Sequence, residues 1–374
     1  MRSVLLAPPG TATPRAPLVR LVERPRPKPG PGEVLLRVAA CGLCGSDFSA
    51  CRFDREGRPD FSGPLRLPVV LGHEAAGTVE AMGEGVRRVH VGGLVAVESV
   101  LSCWSCDTCL SGRPAQCERA ELLGLTCDGA LADWMVVPER SCFRLDPLLA
   151  AGFSPAHAAI AGALLEPFGV AYSALFLCGR PTTPGESLLV YGLGALGALV
   201  GALGRLSGCS PIVGVDRDPA KREWAAMHGF DAAIAANLGS DPPSVIESDL
   251  RRRLGRDGFD LQIDASGCAA AVVPVAQRLL AAGGRLTVLS RARGAVPVEL
   301  DPWISAAADL QGVRGRVDAR AFARLVALVA GGRLDPREHI ANAVPLEAAP
   351  GILLAEGSRP PGKTVVMVGV EDPG

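Results

Sequence analysis

Aromatic side chains make up only 4% of the 374 residues, and lysine is scarcer still: Lys28, Lys221 and Lys363 stand among 38 basic residues. So few aromatics leave no stacking platform for nucleic-acid bases. So few lysines, each beside loop-type residues, leave little room for Schiff-base chemistry. Net charge is missing as well: 39 acidic residues against 38 basic ones give −1. A nucleic-acid grip through bulk charge is thereby excluded, and the one short basic run, Arg251 to Arg253, has no aromatics interleaved. The apolar runs that occur do not read as leader or membrane segments. The apolar residues Val4 to Ala7 meet Pro8, Pro9 and Gly10 at once, too short a run for a signal sequence. Ser187 to Gly204 is 18 residues without a charge, but it holds five glycines and reads better as a buried strand turning into a helix than as a membrane span. A cytoplasmic protein with no membrane or nucleic-acid partner is expected.

Glycine (45), proline (31) and cysteine (12) are plentiful. The length exceeds one ordinary core and suits two domains. A Pro-rich turn from Pro25 to Gly32 within an opening hairpin leads into a strand from Glu33 to Ala40. Short strand-like runs (69–71, 77–81, 94–97, 132–137) then continue to about residue 145, a β-rich unit. The texture changes near Glu166 and Pro167. Beyond it strands at 188–191, 212–215, 261–264 and 285–289 alternate with helices at 194–206, 219–228 and 269–282, the pattern of a parallel sheet. A helix over 319–330 and a strand over 363–368 close the chain.

Four constellations carry chemistry. Cys103, Cys106, Cys109 and Cys117 on one short loop can close a tetrahedron around a soft divalent ion with no open position. Such binding is worth roughly 10–16 kcal/mol, comparable with a domain's whole stability of about 5–15. Its role is to fold a lobe. Gly192, Gly194 and Gly197 follow a strand and open a helix, with Asp216 ending the next strand 24 residues after Gly192; together they form a dinucleotide fingerprint. Asp216 repels a 2′-phosphate, which favours NAD over NADP, while Arg217, Lys221 and Arg222 pull the other way. Cys44, Ser46 and Asp47, with His73, Glu74 and Glu166, offer one thiolate, one imidazole and carboxylates, a mixed donor set suited to a catalytic zinc. Asp264 to Gly267, with Ser266, and Leu289 with Ser290 fall where the carboxyl edge of a parallel sheet faces a bound cofactor. Cys41, Cys51, Cys127, Cys142, Cys178, Cys209 and Cys268 read as core thiols. His90, His157, His228 and His339 read as surface or core residues.

These motifs resemble the zinc-dependent medium-chain dehydrogenases, the superfamily of alcohol and sorbitol dehydrogenases. The likeness runs from Gly32-Glu33-Val34 through the Cys44, His73 and four-cysteine motifs. It continues through Gly124, Asp128, Gly129, Ala132 and Asp133 to the glycine fingerprint and the pair Gly312 and Gly315. Glu166-Pro167 points to the polyol branch, with threonine and sorbitol dehydrogenases. The long spacer holding Phe61 to Pro64 is similar to that of inosose- and aminocyclitol-type enzymes. The fold implied is α/β: a GroES-like catalytic domain over 1–167, its structural-zinc lobe at about 100–120, an inserted Rossmann domain over 168–316, and a return to the catalytic domain over 317–374. The resemblance implies two zinc ions per chain and NAD as cofactor. It implies Cys44 and His73 as zinc ligands, with Glu74 and Glu166 sharing the remaining role. Ser46 would take the alcohol proton, and Asp47 would brace the ligand histidine or the loop. The reaction implied is hydride transfer between NAD and a secondary alcohol of a polyol, sugar or cyclitol, in a cleft between the domains of a homodimer or homotetramer. Ala308 to Val313 resembles the edge strand that pairs across a twofold axis. One departure stands out: Ser49 occupies the position where the family carries a proton-relay histidine. The competing readings are a zinc-independent quinone or enoyl reductase of the same fold, and a non-catalytic NAD(H)-sensing scaffold.

Overall fold

The computed structural model describes every residue except 9–17, 55, 256, 290, 292–293, 314, 316–319 and 370–374. Ser290, the 316/317 domain boundary and the helix start at Ala319 lie outside the described residues. The chain forms two compact units: Met1–Pro167, Asp318–Ser358 and Lys363–Gly374 make one, and Phe168–Val317 with Arg359–Gly362 the other.

The first unit is β-rich. Its main sheet has seven strands, six of them in the order Cys142–Arg144, Leu94–Val97, Glu74–Met82, Glu33–Gly42, Lys363–Met367, Ile340–Pro345, with Trp134–Pro138 also paired to Glu33–Gly42. Glu33–Gly42 is central because it has partners along both edges, and nine of its ten residues are buried or half-buried. Val34, Leu36, Val38, Val95, Val97 and Val137 from these strands share one core with Val4, Leu71 and Leu131. The opening hairpin pairs Arg2–Ala7 with Leu18–Glu23, and the strand after the Pro-rich turn leaves it for the large sheet.

The second unit is a six-stranded, wholly parallel sheet in the order Ala232–Ala235, Ile212–Asp216, Leu188–Tyr191, Phe259–Asp264, Leu280–Val288, Asp309–Gly312. Strand order reverses direction beside Leu188–Tyr191, the switch point where such sheets bind ligands. The mixed α/β class with a doubly wound sheet is borne out.

Several elements differ from the sequence expectation, four of them in or beside the parallel sheet and the helix that carries Glu166. The helix expected over 269–282 stops at Ala276, where a short 3-10 turn Gln277–Leu279 hands over to the strand Leu280–Val288. Leu280 pairs with Phe259, so sheet pairing outweighs local helix preference there. The strand Ala232–Ala235 and the helices Pro243–Leu254 and Pro155–Phe176 are additional. Pro155–Phe176 runs 22 residues straight through Glu166 and Pro167. It is apolar nearly all round, so it shows no helical period in the sequence. By length and composition it is apolar enough to cross a membrane, yet 83% of its apolar window is buried inside the fold.

Candidate active site and cofactor site

Cys44 starts the short helix Gly45–Ala50, and its N–H donates to Asp47 Oδ2 at 2.9 Å. Asp47 is fully buried, and it also takes the Gly72 N–H at 3.2 Å and faces His73 Nδ1 at 3.5 Å. Burial works to raise the Asp47 carboxyl, but His73 and the two N–H donors outweigh it and hold it below its ordinary value. Asp47 therefore stays charged and orients the imidazole, the usual service of a carboxylate behind a ligand histidine. On the other side of the ring, Nε2 lies 3.3 Å from Ser46 Oγ.

The donor atoms of Cys44, His73 and Glu74 all lie within 4.8 Å of one another. Glu74 Oε2 is buried without a hydrogen-bond partner, and with Nδ1 turned to Asp47 the His73 Nε2 is the ring nitrogen left for a metal. An orphaned buried acceptor is costly unless something occupies it. A compact sulfur, nitrogen and oxygen set with such an orphan fits a zinc ion that keeps a position open for substrate. Glu74 is also the partner of a cation. The sequence opens its last strand with Lys363, and the structure buries that lysine on Lys363–Met367. Its Nζ donates to Glu74 Oε1 at 2.5 Å and to Leu43 O at 2.8 Å. Gly42 makes room for this carboxylate, since a Cβ there would stand 2.1 Å from Glu74 Oε2.

Glu166 is not in the compact cluster. It comes in from the helix Pro155–Phe176, is 8% exposed, and accepts a 2.5 Å hydrogen bond from Ser99 Oγ. Its carboxyl is raised, chiefly by burial and further by Glu74, with His73, Ser99 and Lys363 opposing. The two glutamates therefore differ: Glu74 sits with the thiolate and the imidazole, and Glu166 is held by a neutral hydroxyl. Lys363 and Ser99 are the residues that sequence reasoning missed. A charged residue opening the apolar strand of Lys363–Met367, in a chain with three lysines, was a usable signal. Nothing local marked Ser99.

The four cysteines of the second cluster also bring their sulfurs within 4.8 Å of one another. The Cys103–Cys117 and Cys106–Cys117 sulfur separations are 3.4 and 3.8 Å, far beyond a disulfide's, and all twelve cysteines are free. The Ser105 N–H donates to Cys103 Sγ and lowers its pKa to about 5, while burial and its neighbouring thiols push Cys109 up to about 12. Four thiols so close cannot all ionise unaided, and a divalent cation removes that conflict.

In the parallel sheet, each glycine of the fingerprint has its own reason. Gly192 takes φ +86°, and a Cβ there would meet the Ser266 backbone at 2.6 Å. A Cβ at Gly197 would stand 1.9 Å from Gly192 O, so helix and loop touch only through glycine. At Gly194, the residue before the helix Ala195–Leu206, a Cβ would meet nothing. The space this glycine leaves is open to a ligand's approach to the helix N-terminus. Asp216 accepts from Leu193 N at 2.8 Å and from Asp218 N at 2.9 Å, which ties its carboxylate to the glycine loop. Arg222 donates to the carbonyls of Asp216 and Arg217, Lys221 faces Asp218 at 3.8 Å, and Arg217 is exposed. Arg222 is thus spent on backbone. Ser266 Oγ donates to Asp264 at 2.6 Å, and Leu289 N donates to Asp264 O at 2.9 Å, which draws both loop ends onto one strand terminus. Cys268, expected in the core, is exposed beside this loop.

Residues 30–147 match the model of the alcohol dehydrogenase GroES-like domain, and residues 195–331 that of the zinc-binding dehydrogenase domain. Scyllo-inosose 3-dehydrogenase of Thermotoga maritima is 30% identical over 90% of this chain and 86% of its own. The chain belongs to the zinc-dependent medium-chain dehydrogenase family. This dehydrogenase is also 30% identical to D-xylulose reductase A of Aspergillus niger, over 88% of each chain. Among solved structures, a Thermotoga maritima protein provisionally described as an alcohol dehydrogenase is 26% identical with a TM-score of 0.87, covering 98% of this chain and 99% of its own. A Sinorhizobium meliloti protein provisionally described as a zinc-binding dehydrogenase, solved with NADP, gives 26% and 0.82 over 98% of each chain.

Proposed function

We propose that this dehydrogenase oxidises a secondary alcohol of a polyol, sugar or cyclitol to the ketone, using zinc and NAD, and runs the reverse reduction. The observation that carries this reading is the cluster of Cys44, His73 and Glu74 with the Ser46 hydroxyl against the imidazole. It disfavours a zinc-independent reductase, which would have no use for such a donor set. Relatives named for an inosose and a xylulose support the substrate class. When bound, zinc supplies the charge that acidifies an alcohol or polarises a carbonyl, and the nicotinamide supplies the carbon that exchanges the hydride. Cys44, His73 and Glu74 would hold the metal, with Cys103, Cys106, Cys109 and Cys117 holding a second, structural ion.

The chain's own residues handle the proton and the orientation. Ser46 receives the substrate hydroxyl proton, and Ser49, three residues along the same short helix, lies on the same face to pass it outward. A serine relays a proton through water but stores none, so Ser49 conducts where a histidine would buffer. Asp47 keeps the His73 ring fixed, and the Glu166 carboxyl lies beside the donor cluster. Gly192, Gly194, Gly197, Asp216, Ser266 and Leu289 would line the dinucleotide, with Asp216 favouring NAD. The twelve free thiols support a reducing, cytoplasmic setting.

The test is a screen of secondary alcohols, sugars and cyclitols for reduction of NAD and NADP by zinc-loaded protein. Activity with at least one polyhydroxylated substrate is expected. Ser46→Ala should lower kcat by about 10²–10⁴-fold with zinc retained. Activity surviving Cys44→Ala would sink the reading.

A further inference from the structure

Ser99 lies between the strands Leu94–Val97 and Val100–Leu101. Its carbonyl accepts from Leu123 N at 3.0 Å. Val100–Leu101 pairs antiparallel with Glu121–Leu122, closing the base of the loop that carries the four clustered cysteines. Ser102 then donates its hydroxyl to Pro114 O at 2.6 Å inside that loop. The Ser99 backbone is thus tied to the four-cysteine lobe from both of its ends. Its side chain reaches the other cluster, through Glu166.

We propose that Ser99 is a positioning residue that holds Glu166 back from the Cys44, His73 and Glu74 donor set, and that the metal-filled four-cysteine lobe holds Ser99 in place for this task. The proposal rests on reading that donor set as a metal site and names what restrains its second glutamate. A buried carboxylate needs a cation or a hydrogen-bond donor. Glu74 has Lys363 Nζ at 2.5 Å; Glu166 has the Ser99 hydroxyl. A neutral hydroxyl restrains the carboxylate without cancelling its charge, so Glu166 keeps its negative field toward the metal while staying out of its donor shell. With the hydroxyl removed, Glu166 feels only the charges of His73 and Lys363 and is free to turn toward the metal. The lobe then does more than fold: it sets the number of donors at a site built from other segments.

The visible spectrum of the cobalt(II)-loaded protein tests this, taken as a difference against Cys44→Ala so that only this cluster contributes. Ser99→Ala should shift the difference band and slow cobalt loss to a chelator by about tenfold, the scale of one hydrogen bond to a charged group. It should also lower kcat with KM little changed. Ser99→Thr, which keeps the hydroxyl, should match the wild type. Adding Glu166→Gln to Ser99→Ala should abolish the slowed release. Ser102→Ala, which loosens the base of the lobe, should shift the band in the same direction by less. A wild-type band and release rate in Ser99→Ala overturn the role of Ser99, and an unshifted Ser102→Ala overturns the role of the lobe. A wild-type spectrum that Cys44→Ala leaves unaltered overturns the metal-site reading itself, and this proposal with it.

Discussion

Lys363 Nζ stands 2.5 Å from Glu74 Oε1, joining two residues 289 positions apart, and both are buried. Burying two charges is costly, and removing one partner costs more still, because the other is left uncompensated. Lys363→Met should therefore lower the unfolding free energy by about 3–5 kcal/mol, read from denaturant titration. Lys363→Met combined with Glu74→Gln should recover most of that loss in a double-mutant cycle. A single variant as stable as the wild type would mean that the pair carries little coupling.

Elemental analysis should find about two zinc ions per chain. Cys106→Ser should remove one of them or leave the protein insoluble, because the lobe has little else to fold around. A soluble, stable Cys106→Ser protein with two zinc ions would contradict the structural role of this cluster.

Asp216 bonds the Leu193 and Asp218 N–H groups, so its charge is fixed where the ribose would lie and it also braces the glycine loop. Asp216→Ala should cut kcat/KM for NAD by about tenfold or more, the scale of one lost hydrogen bond to a charged acceptor, and narrow the advantage over NADP. Steady-state kinetics with both cofactors decide it. A wild type that already prefers NADP would refute the assignment.

Burial pushes the thiols of Cys51, Cys127 and Cys142 up to about 12 from the ordinary 9.0. Their folded pKa values exceed the unfolded ones, so their contribution to stability is complete below pH 9 and is lost as pH rises toward 12. Three such groups should cost roughly 4 kcal/mol between pH 8 and 10, measured by denaturant titration at each pH. At pH 8 the same thiols should resist iodoacetamide while exposed Cys268 reacts first. Early labelling of Cys142 would show that its surroundings open to solvent.

Asp309–Gly312 is an edge strand of the parallel sheet, and Leu300, Ile304 and Leu310 near it are 68%, 72% and 45% exposed. An uncovered edge with apolar neighbours is a template for pairing with a second copy. Light scattering at micromolar concentration should report a dimer or tetramer, and Ile304→Glu with Leu310→Glu should give monomers. A wild-type monomer would refute the interface.

The amino-acid sequence by itself determined what close spacing and backbone chemistry can determine. Four cysteines within fifteen residues are close enough to converge on one ion, and Gly192, Gly194 and Gly197 after an apolar strand, with Asp216 ending the next one, mark a tight turn into a helix. The order of β-rich and alternating segments likewise announced a parallel sheet after a β-rich unit. The tertiary structure alone decided what depends on contacts between distant segments. Lys363 reaches Glu74 because its strand pairs with Glu33–Gly42, and Ser99 reaches Glu166 because the helix Pro155–Phe176 passes beside it. That helix was itself illegible, since burial on all sides erases the period that marks a helix. The contrast between Glu74, held by a lysine, and Glu166, held by a serine, was likewise beyond the sequence: the environment of a buried carboxylate is set by whichever segments the fold brings against it.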